Sequence, residues 1–306
     1  QDITRQIANS MSGSALRRLV LRDIKALEIH LPSHPEQRRI AEILDTVDEA
    51  IRRTEQVIEK LQQMKHGLLH DLLTRGIDDN GELRPPPEEA PHLYKNSPLG
   101  LIPKEWKILR VQDVSTRITD GDHQTPVRAA QGVFLLSARN VLDGQLDLSD
   151  VDFIPRFEYE RMIRRCFPEA GDLLVSCSGT IGRVCEVPEG FDCALVRSAA
   201  LVKLNRQLAN ARYMEWVLLS EITKQQIRAR QKQGAQPNLF QGEIAELLIA
   251  LPPMTEQSDI SRLLDGAMLR LRREEGLTTK LRTLKKGLMD DLLTGRVRVT
   301  VPEGEC

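Results

Sequence analysis

The sequence predicts an α/β (α+β) domain set between two long antiparallel coiled-coil helices. Three observations predict it. Sliding the chain on itself by 220 positions lays residues 31–77 on 251–297 without a gap, so one module is written twice. Within each copy, apolar residues recur in the alternating four-three spacing of a coiled-coil seam. Between the copies the pattern changes to short β-rich runs bounded by turn residues.

The repeat is specific in its residues. Leu31/Leu251, Pro32/Pro252, Glu36/Glu256, Gln37/Gln257, Leu44/Leu264, Asp45/Asp265, Lys65/Lys285, Gly67/Gly287 and Asp71/Asp291 are identical pairs. The match extends upstream through Leu19/Leu239, Ile24/Ile244, Leu27/Leu247 and Ile29/Ile249. A period of this length is not that of a solenoid; it duplicates a unit containing a domain and a helix.

In the first copy, the seam runs through Ile40, Leu44, Val47, Ile51, Ile58, Leu61, Leu68 and Leu72, broken by Thr54 and Lys65. Ser33, Pro35 and Glu36 supply start signals and Gly76 a stop. The helix expected over 36–74 would be roughly 58 Å long. The second copy keeps Ile260, Leu264, Leu271, Leu281, Leu288 and Leu292 in the seam, again with Lys285. It also carries Gly266 and Gly276, each costing about 1 kcal/mol relative to Ala, so packing against the first copy is expected to hold it.

Residues 76–96, with "DDNGELRPPPEEAP", have no periodicity and read as an exposed linker. Strands are expected at 132–138, 172–179, 183–188 and 200–204, followed by a helix over about 210–232. These describe curled, largely antiparallel strands flanked by helices.

Composition excludes several classes. The net charge is −1, so nothing global selects a nucleic acid. No apolar run reaches the roughly 20 residues of a membrane span, so no membrane partner is expected. Five cysteines without CxxC spacing fit reduced thiols and a cytoplasmic location better than disulfides. His66 and His70 stand four apart on a helix, but the second copy has Lys286 and Asp290 there, which argues against a metal. The chain has no phosphate-binding G-x-x-x-x-G-K-[ST] loop and no Gly-rich cofactor loop after a strand. It reads as a non-catalytic protein without a cofactor or metal of its own.

Six stretches occur in one order: "SPLGLIPKEWKILRVQDV", "ITDGDHQTP", "LLSARNVLDGQLDLSDVDFI", "GDLLVSCSGTIGRV", "GAQPNL" with "GEIAELLIALPPMTEQ", and "LKKGLMDDLLTGRV". With the duplication, they make the whole chain resemble the DNA-specificity subunit of type I restriction–modification systems. The resemblance implies target-recognition domains that each read half of a split site on double-stranded DNA. It implies two helices that separate them and dock modification (methyltransferase) subunits, with a restriction/translocase subunit for cleavage. S-adenosylmethionine, ATP and Mg2+ would belong to those partner subunits. On this likeness 1–34 is the end of a first recognition domain, with the apolar pattern of a closing strand, and 35–75 the central helix. Then come a linker at 76–96, a complete recognition domain at 97–253, the second helix at 254–295 and a tail at 296–306. The chain is then expected to be N-terminally truncated, or to associate with itself. Two alternatives are the recognition portion of a single-chain restriction–modification enzyme and a coiled-coil scaffold with no DNA role.

Reading bases requires donors and acceptors on loops, with cations to hold phosphates. "TDGDHQ" gathers Thr119, Asp120, Asp122, His123 and Gln124 in a Gly-containing turn: Gln suits adenine and Asp a cytosine amino group, unless this is a plain polar turn. Ser178, Gly179, Thr180, Gly182 and Arg183 form either a close backbone approach to phosphate or a structural hairpin. Residues 197–232 carry a local charge of +6. Lys224, Arg228 and Lys232 are spaced four apart, as a phosphate-contacting stripe or a solvated face. Gln236 and Asn238 could each pair with adenine.

Overall fold

The computed structural model describes residues 3–11, 19–230 and 238–300. The chain divides into two compact units: residues through Gln63 with those from Met268 onward, and Met64–Ala267.

In the first unit, α1 (Ile3–Ser10) and α2 (Leu21–Lys25) precede the long helix α3 (His34–Thr74). The part of α3 up to Gln63 runs antiparallel to the matching part of the C-terminal long helix. Ion pairs show the direction, because partner numbers fall as α3 advances: Glu36 with Arg298 just beyond the C-terminal helix, then Asp48–Lys285 and Glu55–Arg282 between the helices. The seam buries Ile40, Ile51, Leu271 and Leu292. Its polar positions are satisfied locally. Thr54 and Thr278 are buried and donate their hydroxyls to the carbonyls of Ala50 and Glu274, one turn back. Lys285 reaches Asp48 at 2.6 Å.

The second unit follows in chain order. A hairpin pairs β1 (Tyr94–Ser97) with β2 (Gly100–Pro103); β3 (Lys107–Arg110) and β4 (Ser115–Asp120) come next. Then come β5 (Val133–Leu136), β6 (Val141–Leu142), β7 (Gln145–Leu146), β8 (Asp152–Ile154) and α4 (Arg156–Met162). The chain continues through β9 (Leu173–Ser176), β10 (Val184–Glu186), β11 (Cys193–Leu195) and β12 (Ala199–Leu204). Helices α5 (Ala211–Leu219), α6 (Glu221–Arg230) and α7 (Gln241–Ala245) lead to β13 (Leu248–Leu251) and the long α8 (Met254–Leu292).

A four-stranded antiparallel sheet, ordered β10-β9-β12-β4, lies beside a three-stranded sheet, β11-β5-β8, whose β11–β5 pairing alone is parallel. Leu136, Leu174, Leu195 and Leu201 form the core between them, with Cys166, Cys185 and Cys193. Cys177 is also buried, and these four thiols are free. Burial pushes Cys166, Cys177 and Cys193 up to about 12, which leaves them protonated and inert at neutral pH.

The duplication is visible in the folded chain. Helices α2 and α7 begin and end 220 residues apart, and the starts of α3 and α8 keep the same offset. Glu36 and Glu256 do the same work near the two helix starts. Glu256 accepts from Arg84, from the Ile77 N–H at 3.0 Å and from the Trp106 indole at 3.1 Å. Glu36 accepts two bonds from Arg298 at 2.7 Å, plus the Val299 N–H. The Arg298 hydrogen bond holds the Glu36 carboxyl below the usual range. Each glutamate thus latches the segment that follows a long helix.

Three expectations require correction. Residues 76–96 are not simply an exposed linker. Ile77, Ala90 and Tyr94 are buried, Tyr94 donates to the Pro85 carbonyl, and Arg84 pairs with Glu256. Gly76, at φ +62°, packs so tightly that an added Cβ would meet the Glu256 carboxylate at 2.2 Å. The single helix expected over 210–232 is two helices. Ser220 is extended, donates to the Val217 carbonyl and accepts the Thr223 N–H, so it ends α5 and caps α6. Finally, Glu28–Leu31 form no strand, although their counterparts form β13. A strand needs a hydrogen-bonded neighbour, and β13 has β3. Ile29 and Leu31 are exposed, whereas Ile249 and Leu251 are buried.

Candidate nucleic-acid interface

The antiparallel order of the four-stranded sheet brings distant segments to one end. Asp120 ends β4, Ala199 starts β12, Ser176 ends β9 and Val184 starts β10, and the register sets these positions side by side. Backbone hydrogen bonds extend the alignment into the loops. Gly121 N–H donates to Ala199 (3.1 Å), Asp122 N–H to Leu195 (2.8 Å) and Arg197 N–H to Asp122 (3.0 Å). Cys177 N–H donates to Ser198 (2.8 Å) and Leu239 N–H to Cys177 (2.9 Å). Asn238 forms a β-bridge with Ser178. Four segments, around 121, 197, 177 and 239, therefore form one continuous rim.

Gly121 is required where it stands. A Cβ there would lie 2.3 Å from the Leu195 carbonyl oxygen, so only a residue without one permits the two chains to approach. Gly182, at φ +77°, closes the turn from β9 to β10 against Ile227 of α6. The β6–β7 turn joins the same end, because Gly144 N–H donates to the Val184 carbonyl at 2.8 Å.

The predicted residues divide by their surroundings. Thr119 is buried in β4, so its hydroxyl is not presented to solvent. Asp120 accepts from Arg165 at 2.8 Å and contacts His123 Nε2 at 2.6 Å. Asp122 pairs with Arg161 at 2.7 Å and accepts the Gln124 N–H at 3.0 Å. Burial pushes the Asp122 carboxyl up, but the Gln124 N–H and the Arg161 guanidinium outweigh it, and the group lies below its ordinary value. These carboxylates are thus committed to arginines, and the exposed side chains of this loop are His123 and Gln124. Arg161 is itself raised, chiefly by its hydrogen bond to Glu158.

On the β9–β10 turn, Gly179 and Thr180 are exposed and Ser178 is half-buried. The basic stripe of α6 is answered by acids: Lys224 faces Asp143 at 3.8 Å and Arg228 pairs with Glu221. Lys232 and Gln236 lie outside the described residues. Two cations at the rim stand apart. The Arg183 and Arg197 guanidiniums have no hydrogen-bond or ion-pair partner among the described residues, in a domain where Arg128, Arg139, Arg156, Arg161, Arg165 and Arg212 are all paired. The exposed Asn238 amide is likewise free of partners among them.

Sequence reasoning missed Arg197 and Phe240 as rim residues. Arg197 sits in a two-residue polar break between the apolar runs "CALV" and "AALVKL", a turn signal that could have found it. Phe240 carries no comparable signal. Among the described residues no group of three or more His, Cys, Asp or Glu could hold a metal ion. No described helix is long and apolar enough to cross a membrane.

An α+β domain that presents such a rim, together with two long antiparallel helices, defines a class of recognition module. The family model for the type I restriction modification DNA specificity domain matches residues 2–63 and 164–281, and the chain belongs to that family. It is 22% identical over 302 residues to the type I restriction enzyme MjaVIII specificity subunit of Methanocaldococcus jannaschii, covering 96% of this chain and 67% of that protein. It is 23% identical over 262 residues to the EcoBI specificity subunit of Escherichia coli, covering 82% and 53%. The chain thus spans from about half to two thirds of the length of these curated relatives. Its fold is similar to that of the HsdS subunit from Thermoanaerobacter tengcongensis, with a TM-score of 0.52 and 17% identity over 96% of this chain and 67% of that one. The type I S subunit from M. genitalium gives 0.55 and 13%, over 97% and 70%.

Proposed function

We propose that the chain is a non-catalytic, cytoplasmic DNA-specificity subunit. Its domain at 97–253 reads one part of a split target on double-stranded DNA. Its long helices, over 35–75 and 254–295, dock methyltransferase subunits and a restriction subunit that carry the chemistry. The observation that carries this reading is the rim, where four hydrogen-bonded segments present two guanidiniums and the exposed Asn238 amide, all without side-chain partners among the described residues.

The division of labour follows from the chemistry. Arg183 and Arg197 hold phosphates, because a guanidinium without a partner among the described residues has its donors available to a phosphate oxygen. Gln124 and Asn238 read base edges, since a carboxamide offers the paired donor and acceptor that match adenine N7 and N6 in the major groove. Ser178, Gly179 and Thr180 carry the backbone close to the duplex, Lys224 and Arg228 add positive potential on α6, and Lys232, outside the described residues, adds a further charge in sequence. Asp120 and Asp122 position arginines instead of contacting bases.

Fluorescence anisotropy of the full chain with duplex DNA, over a range of salt, tests this. Binding should weaken steeply as salt rises, through release of condensed counterions. Arg183→Ala and Arg197→Ala should each weaken binding to all sequences and lower the salt slope by about 1. Binding indifferent to salt and to both changes would favour a scaffold with no DNA role.

A further inference from the structure

Asn238, Leu239 and Phe240 form an extended segment fixed to the β9–β10 turn by the Asn238–Ser178 bridge and the Leu239–Cys177 hydrogen bond. Phe240 keeps extended dihedrals, φ −91° and ψ 152°. In extended chain alternate side chains share a face, and those two residues apart are separated by about 7 Å. Leu239 is 4% exposed, so Asn238 and Phe240 both face solvent.

Phe240 is 66% exposed and Phe157 of α4 64%, whereas Phe134 stacks on Phe191 and packs at a tilt against Phe153. Its main chain is held on both sides. The N–H donates to the Glu243 carboxylate at 2.8 Å, and the carbonyl accepts the Glu243 and Ile244 N–H groups at 2.9 and 3.1 Å. A single exposed apolar residue is ordinary on a protein surface. This one is an aromatic ring on a rigid support, two residues from an exposed carboxamide, on a rim whose other exposed groups are polar among the described residues.

An A·T base pair has the complementary chemistry. In the major groove adenine offers N6 as donor and N7 as acceptor, and its thymine partner offers an apolar C5 methyl. We infer that Asn238 and Phe240 together read one A·T pair, the amide bonding adenine and the ring packing on the thymine methyl. The inference rests on the DNA-reading role proposed above and names the base pair that this segment selects.

Replacing thymine by uracil removes that methyl and nothing else, which makes a direct test. The full chain, alone and reconstituted with modification subunits, is used to select from random-sequence duplexes. The enriched duplex is then remade with each thymine changed to uracil in turn, and affinities are measured. In the wild type one uracil should cost about fourfold, the worth of a buried methyl group. That penalty should vanish in Phe240→Ala and survive in part in Phe240→Leu, with the salt slope unchanged in both. Asn238→Ala should relax preference at the same base pair. A wild type that selects a sequence yet shows no uracil penalty overturns this inference alone. So does a penalty that persists in Phe240→Ala, or an Asn238→Ala effect at a different base pair. A wild type that selects no sequence overturns the DNA-reading role, and this inference with it.

Discussion

Glu215 of α5 is fully buried, and one of its carboxylate oxygens has no hydrogen-bond partner among the described residues. The other accepts from Arg212 at 2.7 Å, and Arg212 also grips Asp265 of α8. Burial pushes the Glu215 carboxyl up to about 7, against the pull of Arg212 and with the repulsion of Glu186 and Asp265. A carboxyl whose folded value lies above its unfolded value, 4.5, contributes stability that is complete below 4.5. That contribution is lost as pH rises through 7. The full difference corresponds to about 3 kcal/mol, of which about 2 kcal/mol falls between pH 5.5 and 8.5. Glu215→Gln keeps the shape and removes the titration. Urea unfolding followed by tryptophan fluorescence reports on the right unit, because Trp106 and Trp216 are the only tryptophans and both lie within Met64–Ala267. The wild type should lose about 2 kcal/mol from pH 5.5 to 8.5 relative to Glu215→Gln. A stability gap that stays constant with pH would refute the reasoning.

Other outcomes follow from close approach and from its absence. Gly121→Ala forces the Asp122 loop away from Leu195 and should destabilise the recognition domain by about 1–3 kcal/mol, measured by the same tryptophan signal. Gly276 meets nothing within 4 Å of an added Cβ, so Gly276→Ala should stabilise α8 by about 1 kcal/mol, read as a higher Tm in circular dichroism at 222 nm. Asp143→Asn frees Lys224 from its acidic neighbour and should strengthen duplex binding at low salt, by an amount that disappears as salt rises.

The parts of the fold legible in the sequence are those set by local periodicity. Seam residues such as Ile40, Ile51, Leu271 and Leu292 recur at helical spacing, and the repeat offset carries over unchanged to α2 and α7. What escaped depends on partners far away in the chain. The polar, Pro-rich composition of 76–96 conceals anchors whose partner, Glu256, lies about 170 residues on. Counting charge over 197–232 gives a basic stripe, yet Asp143 and Glu221 answer Lys224 and Arg228. The same limit applies to the rim. "TDGDHQ" and "SGTIG" were recognisable as loops, but nothing local shows that both adjoin Val196–Ser198, which the Gly121–Ala199 and Cys177–Ser198 hydrogen bonds establish. Nor does the pattern Asn-Leu-Phe reveal that its outer residues face solvent side by side, because that depends on which residue the neighbouring turn covers.

Hydrogen–deuterium exchange of the full chain with and without duplex DNA tests the recognition rim most directly. The rim should gain protection on adding DNA at 121–124, 177–183, 195–198 and 238–240, while β3 and β13, which pair outside the four-stranded sheet, remain unchanged. Protection confined to other segments, or none at DNA concentrations that saturate binding, would contradict the assignment of this rim as the DNA-reading surface.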